Sequence, residues 1–108
     1  MKIIKGILEE ELKKALVVQE KYEKALAALP PGALVKKYVK GYQYYYLMKR
    51  EGSRVRFEYK GKLLGKDIKY YDEIRKKREK YRKLLGNVNK QLLFLRRTLK
   101  GKELRSVS

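Results

Sequence analysis

The hydrophobic positions of this chain follow a helical period at both ends and a strand period in the middle. Within residues 6–29, they recur at alternating steps of four and three, a spacing that predicts a helix with a heptad seam. The seam consists of Leu8, Leu12, Ala15, Gln19, Tyr22, Leu26 and Leu29. Pro30-Pro31-Gly32 then ends the helix, because proline lacks an amide donor and disfavours helical backbone in the residue before it.

Residues 34–60 follow the period of two that is typical of strands. Within 54–60, apolar and charged side chains alternate strictly, which predicts one apolar-aromatic face and one basic face. Two further strands are expected at 34–40 and 42–49, and glycine-containing turns separate all three. The pattern therefore predicts a small antiparallel sheet of two or three strands.

A second heptad seam predicts a long helix over residues 67–100, with Asp67 as its N-cap. Its positions are Tyr71, Ile74, Arg78, Tyr81, Leu85, Val88, Leu92, Leu95 and Leu99. Gly101 ends the helix, and residues 102–108 are expected to be frayed. The predicted fold class is α+β: two long helices with coiled-coil-like seams flank the small sheet in one domain, 1–108. Because the second helix is the longer one, part of its seam, Leu92, Leu95 and Leu99, is predicted to be left over. This surplus is expected to pack either on the N-terminal Ile3, Ile4 and Ile7 or on a second copy in a homodimer.

The charge of the chain narrows the choice of partner. Thirty Lys and Arg face twelve Asp and Glu, so the formal net charge is +18. The excess is uneven: residues 1–33 carry six bases and five acids, whereas 34–66 carry ten and two and 67–108 carry fourteen and five. A chain with this charge repels itself unless a polyanion neutralises it. Nucleic acid is the expected polyanion, and duplex DNA is favoured over RNA.

Composition also excludes several function classes. The chain has no histidine and no cysteine, so the usual general base and the usual zinc ligands are missing. We therefore expect no enzymatic activity, no metal and no cofactor. The first residues lack the apolar run of a signal peptide, and no stretch has the ~18 apolar residues of a membrane span, so a cytoplasmic protein without a membrane partner is expected.

Two clusters of basic residues are candidates for nucleic-acid contact. Seven of the nine residues from Arg75 to Lys83 are basic, and clustered bases give strong, salt-sensitive binding to phosphates. In the sheet, basic residues adjoin tyrosines, which can stack on unpaired bases. Alternation places Tyr42, Tyr44 and Tyr46 on one face and Tyr45 with Leu47 on the other, and leaves open which face is exposed. The residues predicted to contact nucleic acid are Lys49, Arg50, Arg54, Arg56, Lys60, Lys62, Tyr45, Arg75, Lys76, Arg78 and Arg82.

Several short motifs resemble a family of short uncharacterised prokaryotic proteins. They are Leu29-Pro30-Pro31-Gly32-Ala33-Leu34, Tyr44-Tyr45-Tyr46-Leu47, Arg50-Glu51-Gly52 and Tyr59-Lys60-Gly61-Lys62. The resemblance implies a helix, an LPxGSL break, a YYYL-REG-YLGK hairpin and a basic helix, although Ala33 and Lys60 stand where serine and leucine are expected. That family has no established activity to transfer. In outline, the chain is also similar to the DNA-binding arm domains of phage-type integrases and to prefoldin.

Three functional hypotheses follow from the sequence. The first is duplex DNA binding through a basic sheet and helix face, with phosphate contacts as the main source of affinity. The second is RNA or single-strand binding, in which exposed tyrosines stack on bases. The third is a coiled-coil interaction protein, either a prefoldin-like subunit or an antitoxin-like partner of an acidic protein.

Overall fold

The computed structural model describes residues 2–101 and has an α+β fold of two helices and one three-stranded antiparallel sheet. The elements are α1 (Lys2–Ala28), β1 (Ala33–Val39), β2 (Tyr42–Glu51), β3 (Arg54–Gly61) and α2 (Gly65–Lys100). The predicted fold class is confirmed, including the third strand. The tail predicted to be frayed, 102–108, lies outside the described residues.

Both helices begin earlier than the sequence predicts. α1 starts four residues before Gly6, because a single exposed glycine costs a helix only about 1 kcal/mol and does not end it. The amides of Asp67 and Ile68 donate to the carbonyl of Leu64 at 3.0 and 3.1 Å, so Leu64 holds the N-cap position of α2. Asp67 instead lies in the first turn, where its charge favours the helix dipole. The predicted N-cap role of Asp67 is therefore wrong.

The described residues group into two compact units that share α2. The helical unit contains residues 2–28 and 80–101, and the sheet unit contains residues 29–79. Each unit has its own buried residues. Neither helix has the length and apolarity that a membrane crossing requires, over the residues described.

The core of the helical unit lies along the seam between α1 and the second half of α2. Its buried members are Ala15, Val88, Leu92 and Leu95, with Leu8, Leu12, Val18 and Leu85 packed against them. The helices run antiparallel, since the amide of Gln19 donates to Asn89 at 2.8 Å and the ring of Tyr22 lies 6.2 Å from that of Tyr81.

No surplus seam remains for the predicted homodimer contact. Leu92 is 1% exposed and Leu95 is 5% exposed, and Leu99 is half-buried. Leu8 and Leu12 of α1 pack against the cluster that contains Leu92 and Leu95, because α1 packs along the part of α2 that begins at residue 80, whereas residues 65–79 of α2 belong to the sheet unit. A second copy has no access to this seam unless it displaces α1, so the prediction that the seam is left over is wrong.

The sheet has the order β1-β2-β3, and a two-residue turn at Gly52-Ser53 fixes the register of its second hairpin. Residues that lie opposite each other in an antiparallel pair point to the same side. Tyr45 and Leu47 of β2 are buried, 7% and 5% exposed, as is Ile74 of α2. We call their side the inner face and the opposite side the outer face. A register shift between Tyr45 and Tyr46 interrupts the pairing of β2 with β3.

The entry to the sheet depends on Gly32. Its φ of 105° lies in a region that side chains avoid. A Cβ at this position would lie 2.9 Å from Cγ of Leu47 and 3.2 Å from the carbonyl oxygen of Met48. The Pro-Pro-Gly break therefore ends α1 and also allows the backbone to approach β2 closely.

Candidate nucleic-acid interface

The outer face of the sheet is apolar, aromatic and exposed. The register of the three strands places on it Ala33, Val35, Lys37, Val39, Tyr42, Tyr44, Tyr46, Met48, Arg50, Val55, Phe57 and Tyr59. Tyr42, Phe57 and Tyr59 are 57%, 51% and 60% exposed. Large exposed apolar patches on folded proteins usually mark a surface that contacts a partner.

Three aromatic rings of the outer face form one connected group. The ring of Tyr59 lies 5.3 Å from that of Tyr46 and 6.3 Å from that of Tyr44, measured between centroids. With Val39, these three tyrosines line an open cleft of about 450 Å³. The rings are tilted against each other by 38° and 58° and so do not stack face to face.

Two lysines lie over aromatic rings of the outer face. Nζ of Lys37 is 4.9 Å from the centroid of Tyr46 and 5.3 Å from that of Phe57. Lys62 extends over the ring of Tyr42 at 4.7 Å. Cation–π contacts of this kind hold an ammonium group against an aromatic surface. The positive charge is therefore positioned next to the stacking surface.

Both carboxylates of the strands lie on the inner face, where they pair with bases. Glu58 accepts from Lys60 at 2.9 Å and lies 3.0 Å from Nζ of Lys49, and Glu51 lies 3.5 Å from Arg56. The hydrogen bonds from Lys60 and Lys49 lower the pKa of Glu58 from 4.5 to about 2, and the bond to Glu58 raises the pKa of Lys60. Two carboxylates thus pair with three of the inner-face bases, whereas the outer-face positions carry Lys37 and Arg50 with no carboxylate.

Three bases of α2 that were predicted to contact phosphate have partners within the sheet unit. Arg75 donates to Asp72 at 2.7 Å and to Glu79 at 2.9 Å, and Lys76 lies 3.2 Å from Asp72. The bonds from Arg75 and Lys76 lower the pKa of Asp72. Arg78 is half-buried and donates to the carbonyls of Gly32 at 3.1 Å and Pro30 at 2.6 Å.

Arg78 therefore holds the Pro-Pro-Gly segment, a role that the sequence did not predict, and its contact with phosphate stays a prediction. Guanidinium groups suit this task because their planar donors can serve two acceptors at once.

The remaining predicted residues divide by location. Tyr45 is buried and packs on the inner face, so its predicted role as a stacking platform is wrong. Arg54 is exposed on the inner face, Arg50 is exposed on the outer face, and Arg82 is exposed in the part of α2 that belongs to the helical unit. Within the sheet unit, the predicted residues of the strands are thus divided between the two faces of the sheet.

Sequence reasoning did not include most of the outer-face residues among the candidates. Those missed are Lys37, Tyr42, Tyr44, Tyr46, Phe57 and Tyr59. The turn at Gly52-Ser53 pairs Glu51 with Arg54, and counting back from it places both strand carboxylates on one face. That count is the signal that identifies the acid-free face from sequence alone.

No group of three or more metal-ligating acidic, histidine or cysteine side chains occurs within residues 2–101. Comparison with protein-family models, with curated proteins and with solved structures finds no match. The family resemblance stated from the sequence stays a prediction.

Proposed function

We propose that the protein binds single-stranded nucleic acid on the outer face of its sheet. The observation that carries the proposal is the acid-free cluster of exposed rings with Lys37 held over two of them. Unpaired bases stack on aromatic side chains whatever their sequence, because every base has a π-face. Lysines beside the rings supply the charge that phosphates need.

Each stacked base contributes about 1–3 kcal/mol to binding. The cleft lined by Val39, Tyr44, Tyr46 and Tyr59 is where stacking is expected. Lys37, Arg50 and Lys62 surround the rings, so a strand laid across the sheet meets cations along its backbone. RNA and single-stranded DNA share this chemistry, and separate oligonucleotides distinguish them in the test below.

Duplex DNA is less well supported on this sheet than the charge alone suggests. A duplex keeps its bases stacked internally, so the exposed rings of the outer face would gain nothing from it. Of the four inner-face bases that were predicted to contact nucleic acid, Lys49, Arg56 and Lys60 are paired with Glu51 or Glu58, and Arg54 has no ion pair among the described residues. A duplex would have to compete with these carboxylates.

A second copy of the chain is the other conceivable occupant of the outer face. Packing two outer faces together would bring Lys37 and Arg50 of each copy into an apolar contact that supplies no carboxylate. Burying unpaired charges costs several kcal/mol per ion. This charge pattern favours an anionic partner over self-association.

The test compares two tyrosines that share a sheet but not a face. Tyr59 is 60% exposed on the outer face, and Tyr38 is 68% exposed on the inner side, where its hydroxyl accepts from Gln43. Fluorescence anisotropy measures the affinity of each alanine variant for labelled single-stranded RNA, single-stranded DNA and duplex. We expect Tyr59→Ala to weaken single-strand binding by roughly 5- to 150-fold, the equivalent of one lost stack, and Tyr38→Ala to leave it near wild type.

Two results contradict the proposal. Equal losses in the two variants would show that exposed tyrosine surface in general, and not the outer face, determines binding. Sedimentation that shows a stable dimer, together with no affinity for any single strand at low salt, would assign the outer face to a second copy.

A further inference from the structure

The second half of α2, residues 80–100, is basic and contains no acidic residue. We call this segment the basic half. Its cations, all exposed, are Lys80, Arg82, Lys83, Lys90, Arg96, Arg97 and Lys100. Helices on a solvated surface usually interleave acids with bases, and α1 does so with six lysines and five glutamates over residues 1–28.

The two helices of this unit differ in how their charges are balanced. The ion pairs of α1 are internal to it: Lys5 with Glu9, Lys14 with Glu11 and Lys24 with Glu20. Over residues 2–101, no ion pair involves a base of the basic half. The positive charge of this segment is therefore open to an external anion.

Four of these cations share one side of α2. Lys80, Lys83, Lys90 and Arg97 follow each other at steps of three, seven and seven residues, which returns each to the same side of a helix. The buried positions Val88, Leu92 and Leu95 lie on the opposite side. At 1.5 Å per residue the line of cations is about 25 Å long.

We propose that this line of cations, Lys80, Lys83, Lys90 and Arg97, is a second nucleic-acid contact, one that binds the phosphate backbone of a duplex. A straight, rigid row suits the regularly spaced phosphates of a duplex, of which each strand supplies one for about every 3.4 Å of helix axis. The exposed aromatic surface here is limited to Phe94, so the segment offers phosphate contacts rather than a stacking platform. This inference does not depend on the single-strand site of the sheet.

An anionic membrane is a poorer occupant. A helix that lies on a membrane inserts a broad apolar face among the lipids. In the basic half, the exposed large apolar residues are Leu93 and Phe94, whereas Leu92 and Leu95 are buried against α1. The apolar face needed for insertion is already occupied.

The test removes three charges from α2 and, as a matched control, three from α1. One variant carries Lys80→Gln, Lys83→Gln and Lys90→Gln, and the control carries substitutions at three exposed lysines of α1: Lys13→Gln, Lys21→Gln and Lys24→Gln. Affinity for a labelled blunt duplex is measured against salt concentration. We expect the α2 variant alone to flatten the slope of log K against log salt by about 2.7, at about 0.9 per phosphate contact, and to lose roughly tenfold or more in affinity at moderate salt.

Several outcomes overturn the inference. Equal losses in both triple variants would mean that net charge alone determines binding. An unchanged slope in the α2 variant, or binding to phosphatidylserine vesicles without binding to duplex, would overturn it as well. The proposed single-strand site is tested independently of this inference. Tyr59→Ala should weaken the binding of single strands only, and the two triple variants should weaken single-strand binding by equal amounts.

Discussion

Arg78 is the residue whose role differs most between sequence and structure, and its substitution tests the structural role directly. The guanidinium donates at 3.1 Å to the carbonyl of Gly32 and at 2.6 Å to that of Pro30. A hydrogen bond from a charged donor contributes about 1.5–3 kcal/mol. Because the group is half-buried, and one of its two bonds is exposed to water, we expect Arg78→Ala to lower the free energy of unfolding by about 2–4 kcal/mol.

Two further variants separate structure from charge. Arg78→Lys keeps the charge but lacks the planar fork, so we expect it to recover no more than half of the lost stability. Arg82→Ala removes an exposed arginine from the same helix and should change stability by about 0.5 kcal/mol or less. Urea denaturation followed by circular dichroism gives all three values. Equal stability of Arg78→Ala and Arg82→Ala would refute the role assigned to Arg78.

Three other predictions concern the core of the helical unit, the glycine at the entry to the sheet and one carboxylate. Leu92→Ala should lower the free energy of unfolding by about 2–5 kcal/mol in urea denaturation, because Leu92 is buried. Leu93→Ala, at the half-exposed neighbouring position, should lower it much less, and similar losses in the two variants would contradict the packing of the seam. Gly32→Ala should lower the free energy of unfolding by at least about 1–3 kcal/mol, because φ is 105° and the new Cβ would lie 2.9 Å from Leu47. A melting temperature equal to that of wild type would contradict this expectation. The pKa of Glu58 is lowered in the folded state, so its contribution to stability is complete above pH 4.5 and is lost as the pH falls through about 2. Glu58→Gln should therefore flatten the loss of stability between these pH values, and a slope as steep as that of wild type would contradict the pairing with its lysines.

The helices were predictable from sequence because their signals are strong and repeated. Steps of three and four located both seams, and Pro30-Pro31-Gly32 marked the end of α1 to within a residue. The starts were less predictable, since neither Gly6 nor Asp67 marks the true boundary. The false surplus of seam in α2 has another cause: residues 65–79 of α2 belong to the sheet unit, so α1 has to match only the positions from residue 80 onward.

The sheet was predictable in its strands but not in its exposure. Alternation separated Tyr45 from Tyr44 and Tyr46, yet apolar residues occur on both faces, so hydrophobicity alone does not select the buried one. The face that stays exposed contains more aromatic rings than the face that is buried. The alternation of residues in the sequence shows which side chains lie on the same face of the sheet. Which face is buried depends on the packing of α2 against the sheet, and the local sequence does not determine this packing.

The pairing of bases with acids was equally hidden from the sequence. Counts of Lys and Arg along the chain do not show that Glu58 pairs with both Lys49 and Lys60, since Lys49 reaches Glu58 only through the register of β2 and β3. The carboxylate-free side of the sheet emerges when the strands are aligned from the turn at Gly52-Ser53.

Photochemical cross-linking tests the central claim most directly. A single strand that contains bromouracil is bound, irradiated and digested with trypsin, which separates the competing tyrosines by peptide: Tyr59 falls in 57–60, Tyr38 in 38–40 and Tyr70 in 70–75. We predict adducts in 57–60 and in 41–49, the peptides that contain the outer-face rings. Adducts confined to 38–40 or 70–75, where tyrosines are as exposed but lie off that face, would contradict the assignment of the outer face to unpaired bases.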